Sequence, residues 1–217
     1  QMSLAKASMI QQKLMPKSDP QVDGYDIAGK SVSCDETGGD YYDFINPNEW
    51  VRDKIGIVVA DVIGHGISAA LLMTSVRAFF RERILGPGSG VSIVTDVNKR
   101  LHQDIEELNL FVTMFYSEID LKEKCFRWVH AGHESALSYN PATDIFDTLG
   151  GEGLPLGVVK EWKYEQAKIP IQPGQIFLIA TDGIKEACNP QNEYFGNGRL
   201  LSVIKNNYQK SAKEILV

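Results

Sequence analysis

Ile57-Val58-Val59-Ala60-Asp61-Val62-Ile63-Gly64-His65-Gly66 joins an apolar run to a glycine-rich turn through a single aspartate. With Ile55 before it, the first part is a nearly continuous apolar run, the pattern of a strand covered on both faces. A strand is predicted over 56–60, ending at Asp61. Gly64 and Gly66 punctuate a turn. Beyond it, Ile67, Ala70, Leu71, Met73, Val76, Phe80 and Ile84 recur at helical spacing, so a helix is predicted over 67–84. The block reads as a buried strand that delivers a carboxylate to a glycine-rich turn and then a helix.

Working outward, Leu4, Ala7, Gln11 and Leu14 mark a short amphipathic helix over 3–15 that Pro16 stops, and residues 23–27 have strand character. On the other side, Gly86-Pro87-Gly88-Ser89-Gly90 breaks the first long helix. A second helix follows, with Val94, Val97, Leu101, Ile105 and Leu108 on one face, ending near Asn109. The chain then turns to β: 111–119, 125–130, 136–139 and 145–149 read as a meander. Residues 168–171 and 175–180 read as a hairpin-like pair around Pro173-Gly174, and a last helix is predicted over 200–206. Many strands with two adjacent helices between them predict a layered α+β domain, not a βαβ parallel sheet.

The 217 residues suit one domain, and 43% hydrophobic against 23% charged residues is enough to bury a core. A net charge of −6 and no stripe of Lys or Arg argue against nucleic acid as a partner. Cys34, Cys125 and Cys188 are odd in number, far apart and without a CxxC pair, so neither a disulfide framework nor a zinc ribbon is indicated, and a reducing cytoplasm fits. No apolar run approaches the ~20 residues that span a bilayer, and no signal-type leader opens the chain. The chain begins inside a helical pattern and ends after a Lys/Ala/Glu-rich stretch, as a piece of a longer protein would.

Two strand ends present an aspartate followed by glycine: Asp61, and Asp182 in Ile179-Ala180-Thr181-Asp182-Gly183. Such a carboxylate suits a hard cation, because the strand fixes it while glycine lets backbone and water approach. Taken singly, each is as well read as a cap on a turn or helix. A third acidic stretch, Cys34-Asp35-Glu36-Thr37-Gly38-Gly39-Asp40-Tyr41-Tyr42-Asp43, gathers four carboxylates around a Gly-Gly pair. Two-metal phosphoryl-transfer sites need acids in such number to offset two divalent charges about 3.5–4 Å apart. A solvated acidic turn is the equal alternative.

The order GGDYYDF (38–44), ADVIGHGISAALLM (60–73), FVTMFYSEID (111–120), HAGHESAL (130–137), LPLGV (154–158) and ATDGIKEA (180–187), flanked by Gln11-Gln12, Pro16 and Phe195-Gly196, resembles the PPM-type, protein phosphatase 2C-like superfamily. More narrowly, it is similar to the bacterial SpoIIE/RsbU-like branch. The resemblance implies a four-layer αββα sandwich of two antiparallel sheets flanked by helices, with two Mn²⁺ or Mg²⁺ ions at one edge. It implies Asp61 as the carboxylate bridging both ions, the Val62 carbonyl as a ligand, and Asp182 and Asp40 as further acids at the metals. Glu36, Asp43, Gly183 and His65 are further candidates. It also implies direct attack of activated water on phosphorus, with no covalent enzyme intermediate.

The branch normally ends with an Asp-Asp pair before a final strand, and Val217 precedes any such pair, so a fourth metal ligand and an edge strand lie outside this sequence. The expected organisation is a linker helix at 1–16 and a phosphatase domain at 17–217. The implied substrate is a regulatory protein of the anti-sigma-factor antagonist type, phosphorylated on Ser or Thr. An upstream sensor or receiver domain, and a homodimer through the N-terminal helix, are implied as well. His65, four residues past Asp61, is a candidate general acid because a histidine's usual pKa near 6.5 suits the task, but capping of the next helix or a hydrogen bond to backbone is the preferred reading. His130 and His133 are read as structural at a turn, with a place near the site as the alternative, Cys125, Phe126 and Trp128 as strand packing, and Arg77, Arg81 and Arg83 as a solvated helix face, with partner docking as the alternative.

Two rivals compete. GGDYY superficially resembles the GGDEF signature of diguanylate cyclases, but lacks its acidic fourth residue and leaves ADVIGHG and ATDG unexplained. A catalytically silent binding module of the same fold is the other, against which Asp61 and Asp182 both stand intact.

Overall fold

In the computed structural model, which describes residues 2–33, 37–45 and 53–216, the apolar run before Asp61 lies in β2 (Lys54–Val62), flanked by β1 (Tyr41–Ile45) and β3 (Val112–Asp120). With β4 (Cys125–Ala131) and β7 (Gln166–Pro170) they form an antiparallel sheet in the order β1-β2-β3-β4-β7. β6 (Ile145–Leu149), β5 (Ala136–Asn140) and β8 (Ile176–Leu178), in that order, form a second antiparallel sheet.

Alternation along β2 explains the layers. Val58, Ala60 and Val62 pack with Met73, Val76 and Phe80 of α2 (Gly66–Ile84) and Val94 and Leu101 of α3 (Gly90–Ile105). Ile55 and Ile57 point the other way, into a core with Phe115, Phe126 and Phe177 between the sheets. A third core, Tyr139, Leu200 and Ile204 with Phe146, Leu178 and Phe195, lies between the second sheet and α5 (Gly196–Asn207). The result is the expected αββα sandwich. Short helices α4 (Gly183–Glu186) and α6 (Ala212–Ile215) follow the second sheet, and α1 (Met2–Leu14) precedes the domain.

Several expectations are corrected. Residues 23–27 form no strand; only an isolated bridge joins Val22 and Tyr25. The meander divides, since β3 and β4 pair in one sheet and β5 and β6 in the other. The predicted hairpin divides too: β7 pairs with β4, β8 with β5. Ile169, Ile171, Phe177 and Ile179 all enter the core between the sheets, so these segments stack face to face, which alternation in sequence cannot distinguish from edge pairing.

On α2 the buried stripe is Ala69, Leu72, Met73, Val76, Phe80 and Ile84, while Ile67 and Leu71 are 53% and 66% exposed. α3 ends at Ile105, leaving Leu108 exposed. The arginines of α2 are not merely solvated: Arg83 pairs with Asp96, Arg81 with Asp43, and Arg77 donates to the Leu14 carbonyl. Cys125, Phe126 and Trp128 are buried in β4 as strand packing.

Candidate metal centre

Three aspartates from three separate segments meet where the sheets open at one end. Asp61 follows Ile55 and Ile57 on the side of β2 that faces the second sheet, and its Cα partner across the ladder is Thr113. Asp40 immediately precedes β1, whose Tyr41 is opposite Ala60, so Asp40 is delivered next to Asp61. Asp182 comes from the second sheet, past the end of β8, and stands at the N-cap of α4. Its carbonyl accepts from the amides of Lys185 and Glu186, but its carboxylate makes no capping bond. Capping therefore does not account for this side chain.

The Thr181 hydroxyl donates to Asp40 Oδ2 at 3.1 Å, tying the second sheet's segment to the first. The carboxyl groups of Asp40 and Asp61 lie close enough to act directly on each other. Burial, then the charges of Asp40 and Asp182, push Asp61 up to about 7, against a smaller opposing effect of the Val62 amide. Burial raises Asp40 too, with the Thr181 and Asp61 hydrogen bonds opposing and the Asp182 charge adding. No basic side chain is among the groups that chiefly act on either. The set is an acid cluster lacking a counter-charge, and a divalent cation meets that deficit.

The backbone fits as well. A Cβ on Gly39 would lie 2.8 Å from the Val62 carbonyl oxygen, so only glycine lets the acidic loop close over this strand end. Gly38 in turn is gripped by Gln11 of α1, whose amide Nε2 donates to the Gly38 carbonyl at 2.6 Å while Oε1 accepts from its N–H at 3.1 Å. Gln11, Gly39, Thr113 and Thr181 were not singled out from sequence as site residues. Their roles depend on contacts between segments far apart in the chain, for which the sequence carries no local signal.

The remaining candidates separate. Asp43 lies apart from the three acids: it is 1% exposed, both its oxygens accept from Arg81 at 2.6 and 2.8 Å, and the Tyr41 hydroxyl donates to it at 2.8 Å. Glu36 lies outside the described residues. Gly183 is exposed beside Asp182. His65 occupies the N-cap position of α2 in extended conformation, without a side-chain capping bond. Among the described residues, Asp120, Glu123 and Cys125 do converge within 4.8 Å. Arg127, however, already pairs with both carboxylates, so no metal is needed there.

Residues 52–217 match the family described as Stage II sporulation protein E (SpoIIE). The chain is 30% identical over 213 residues to Phosphoserine phosphatase RsbU of Bacillus subtilis (strain 168), covering 97% of this chain and 61% of RsbU's length. Among solved structures, it resembles the SiaA-PP2C domain of Pseudomonas aeruginosa with a TM-score of 0.78 at 21% identity, over 98% of this chain and 84% of that one. It also resembles RsbX, solved in complex with magnesium, with a TM-score of 0.57 at 19% identity, over 88% of this chain and 81% of that one. The four-layer fold, the ordered motifs and the match over residues 52–217 lead to one conclusion: the chain belongs to the Stage II sporulation protein E (SpoIIE) family, in the SpoIIE/RsbU-like branch of PPM-type phosphatases.

Proposed function

We propose that this protein hydrolyses phosphoserine or phosphothreonine on a regulatory protein partner, with Asp40, Asp61, the Val62 carbonyl and Asp182 holding two divalent metal ions, Mn²⁺ or Mg²⁺. The observation that carries the reading is the convergence of three carboxylates without a basic group to balance them. Those carboxylate oxygens do not gather within 4.8 Å as one ion's donors would. Three acids with no basic partner suit two ions side by side about 3.5–4 Å apart. The magnesium in the RsbX structure and the phosphoserine named for RsbU support the metal and substrate classes.

When bound, the ions supply the positive charge that an acidic edge lacks toward a phosphate monoester, and they make water acidic enough to attack at neutral pH. The chain's own residues set the geometry. The Val62 amide and the β2 ladder fix Asp61, Thr181 holds Asp40, and Gly39 keeps the Val62 carbonyl and the acidic loop in close register. Asp182 is exposed at the mouth, where a phosphorylated side chain would arrive.

Residues 1–16 act in this reading as a linker from an upstream sensor or receiver domain to the phosphatase domain at 17–217, with homodimerisation through the same helix. The grip of Gln11 on Gly38, and of Arg77 on the end of α1, supports such a lever. The substrate is of the anti-sigma-factor antagonist type and the setting is the cytoplasm. Among the described residues, no helix is long and apolar enough to cross a membrane.

Hydrolysis of para-nitrophenyl phosphate by the purified protein, with its natural C-terminal continuation, tests the reading. Release of phosphate with Mn²⁺, abolished by EDTA and by Asp182→Asn, is expected. A folded protein inactive with every divalent metal would favour the silent binding module.

A further inference from the structure

The loop 132–135 crosses from the first sheet to the second beside the acid cluster, and it carries a buried histidine that the proposed chemistry does not use. His133 is 5% exposed. Its Nδ1 lies 2.8 Å from the Thr113 hydroxyl. Thr113 is the residue opposite Asp61 in the β2–β3 ladder, and the same hydroxyl reaches the Asp61 carbonyl at 3.4 Å.

On its other side the ring lies near the backbone of Ala180, two residues before Asp182, and its Nε2 has no hydrogen-bond partner. The ring thus stands between the segments that carry Asp61 and Asp182. Two further contacts hold this loop in place. His130 Nε2 lies in hydrogen-bonding contact with the His133 carbonyl, and Lys185 of α4 pairs with Glu134. A polar ring buried at this level of exposure, with one nitrogen left unpaired, costs stability that an apolar side chain of similar size would not. Its placement is better explained by a task at the site.

We infer that His133 is a positioning residue: its imidazole braces Thr113, and through it the end of β2, against the 132–135 loop that Lys185 ties to α4, setting the separation of Asp61 and Asp182. The inference rests on the proposed metal reading. It assigns a role to the second histidine of HAGH, and it accounts for why a threonine stands opposite Asp61.

Groups that orient metal ligands from behind typically change metal affinity or activity by about 10–100-fold when removed. The test is calorimetric titration of EDTA-stripped protein with Mn²⁺, with melting temperatures taken without metal. Wild type is measured first, because a wild type that binds no Mn²⁺ overturns the metal reading and this inference together. With wild type binding, His133→Phe is expected to weaken Mn²⁺ binding about tenfold or more. Thr113→Val, which keeps the volume and removes the hydroxyl, is expected to act in the same direction with its metal-free melting temperature close to wild type. The double variant should be little worse than the worse single one, since both remove one link. His133→Asn, whose amide can replace Nδ1 toward Thr113, should recover part of the affinity. If His133→Phe fails to fold, Thr113→Val decides. Wild-type Mn²⁺ affinity in Thr113→Val, or additive losses in the double variant, would overturn the inference while leaving the phosphatase reading intact.

Discussion

Asp40 and Asp43 lie on one short segment, yet the structure gives them opposite fates. Asp43 points into the core beside α2, where the Arg81 fork and the Tyr41 hydroxyl satisfy both its oxygens. Asp40 meets Thr181 and two further carboxylates, and burial together with the Asp182 charge raises its pKa. One carboxylate came with its counter-charge and the other did not. The difference separates a structural acid from a functional one: a buried charge whose partner is absent points to a partner supplied from outside.

The largest effect expected from breaking this contrast is at Asp61. Asp61→Asn should reduce metal-dependent phosphatase activity by roughly three orders of magnitude or more, since it removes the acid proposed to hold both ions. It should leave metal-free stability unchanged or higher, because a mutually repelling charge is gone. Activity assays and thermal unfolding in EDTA read the two sides. Asp43→Asn should do the reverse, costing about 2 kcal/mol of stability in denaturant unfolding with Mn²⁺ affinity retained. That figure lies below the ~3–5 kcal/mol of fully buried pairs because the Arg81 side chain is 45% exposed.

Gly39→Ala sharpens the contrast from the backbone. Its Cβ would press on the Val62 carbonyl, and a loss of about tenfold in Mn²⁺ affinity by calorimetry is expected, in line with displaced ligand supports elsewhere. The smallest effect is on pH dependence. The folded-state pKa of Asp61 is raised from 3.8 to about 7, so its proton is bound more tightly in the folded chain than in the unfolded one. The resulting stabilisation is complete below the unfolded pKa and is lost as pH rises through about 7. Metal-free protein should therefore lose melting temperature between pH 4 and pH 7 from this group, and saturating Mn²⁺ should flatten that slope.

What could be read from sequence follows the same division. The β2–turn–α2 block was legible because a buried strand, positive-φ glycines and a helical repeat are local signals; Gly64 and Gly66 indeed have φ of 92° and 75°. Asp61 was legible as a strand-end acid for the same reason, whereas Asp182, expected at a strand end, stands four residues past β8 at the N-cap of α4. β1 was not, because Tyr41-Tyr42-Asp43-Phe44 in an acidic stretch reads as a loop until Arg81, 38 residues away, is seen to neutralise Asp43. Nor was the splitting of the strands into two sheets, since β7 and β8 carry the same alternation whether they pair or stack. His133 and Gln11 act across sheets and helices, where no spacing in the sequence reports them.

The most direct test of the central claim sets the two neighbouring acids against each other in one titration. EDTA-stripped wild type, Asp40→Asn and Asp43→Asn are titrated with Mn²⁺ by calorimetry under the same conditions. Saturable binding to wild type and Asp43→Asn, with binding to Asp40→Asn weakened at least tenfold, is the predicted result. Equal binding to all three, or weaker binding to Asp43→Asn than to Asp40→Asn in folded protein, would contradict the account.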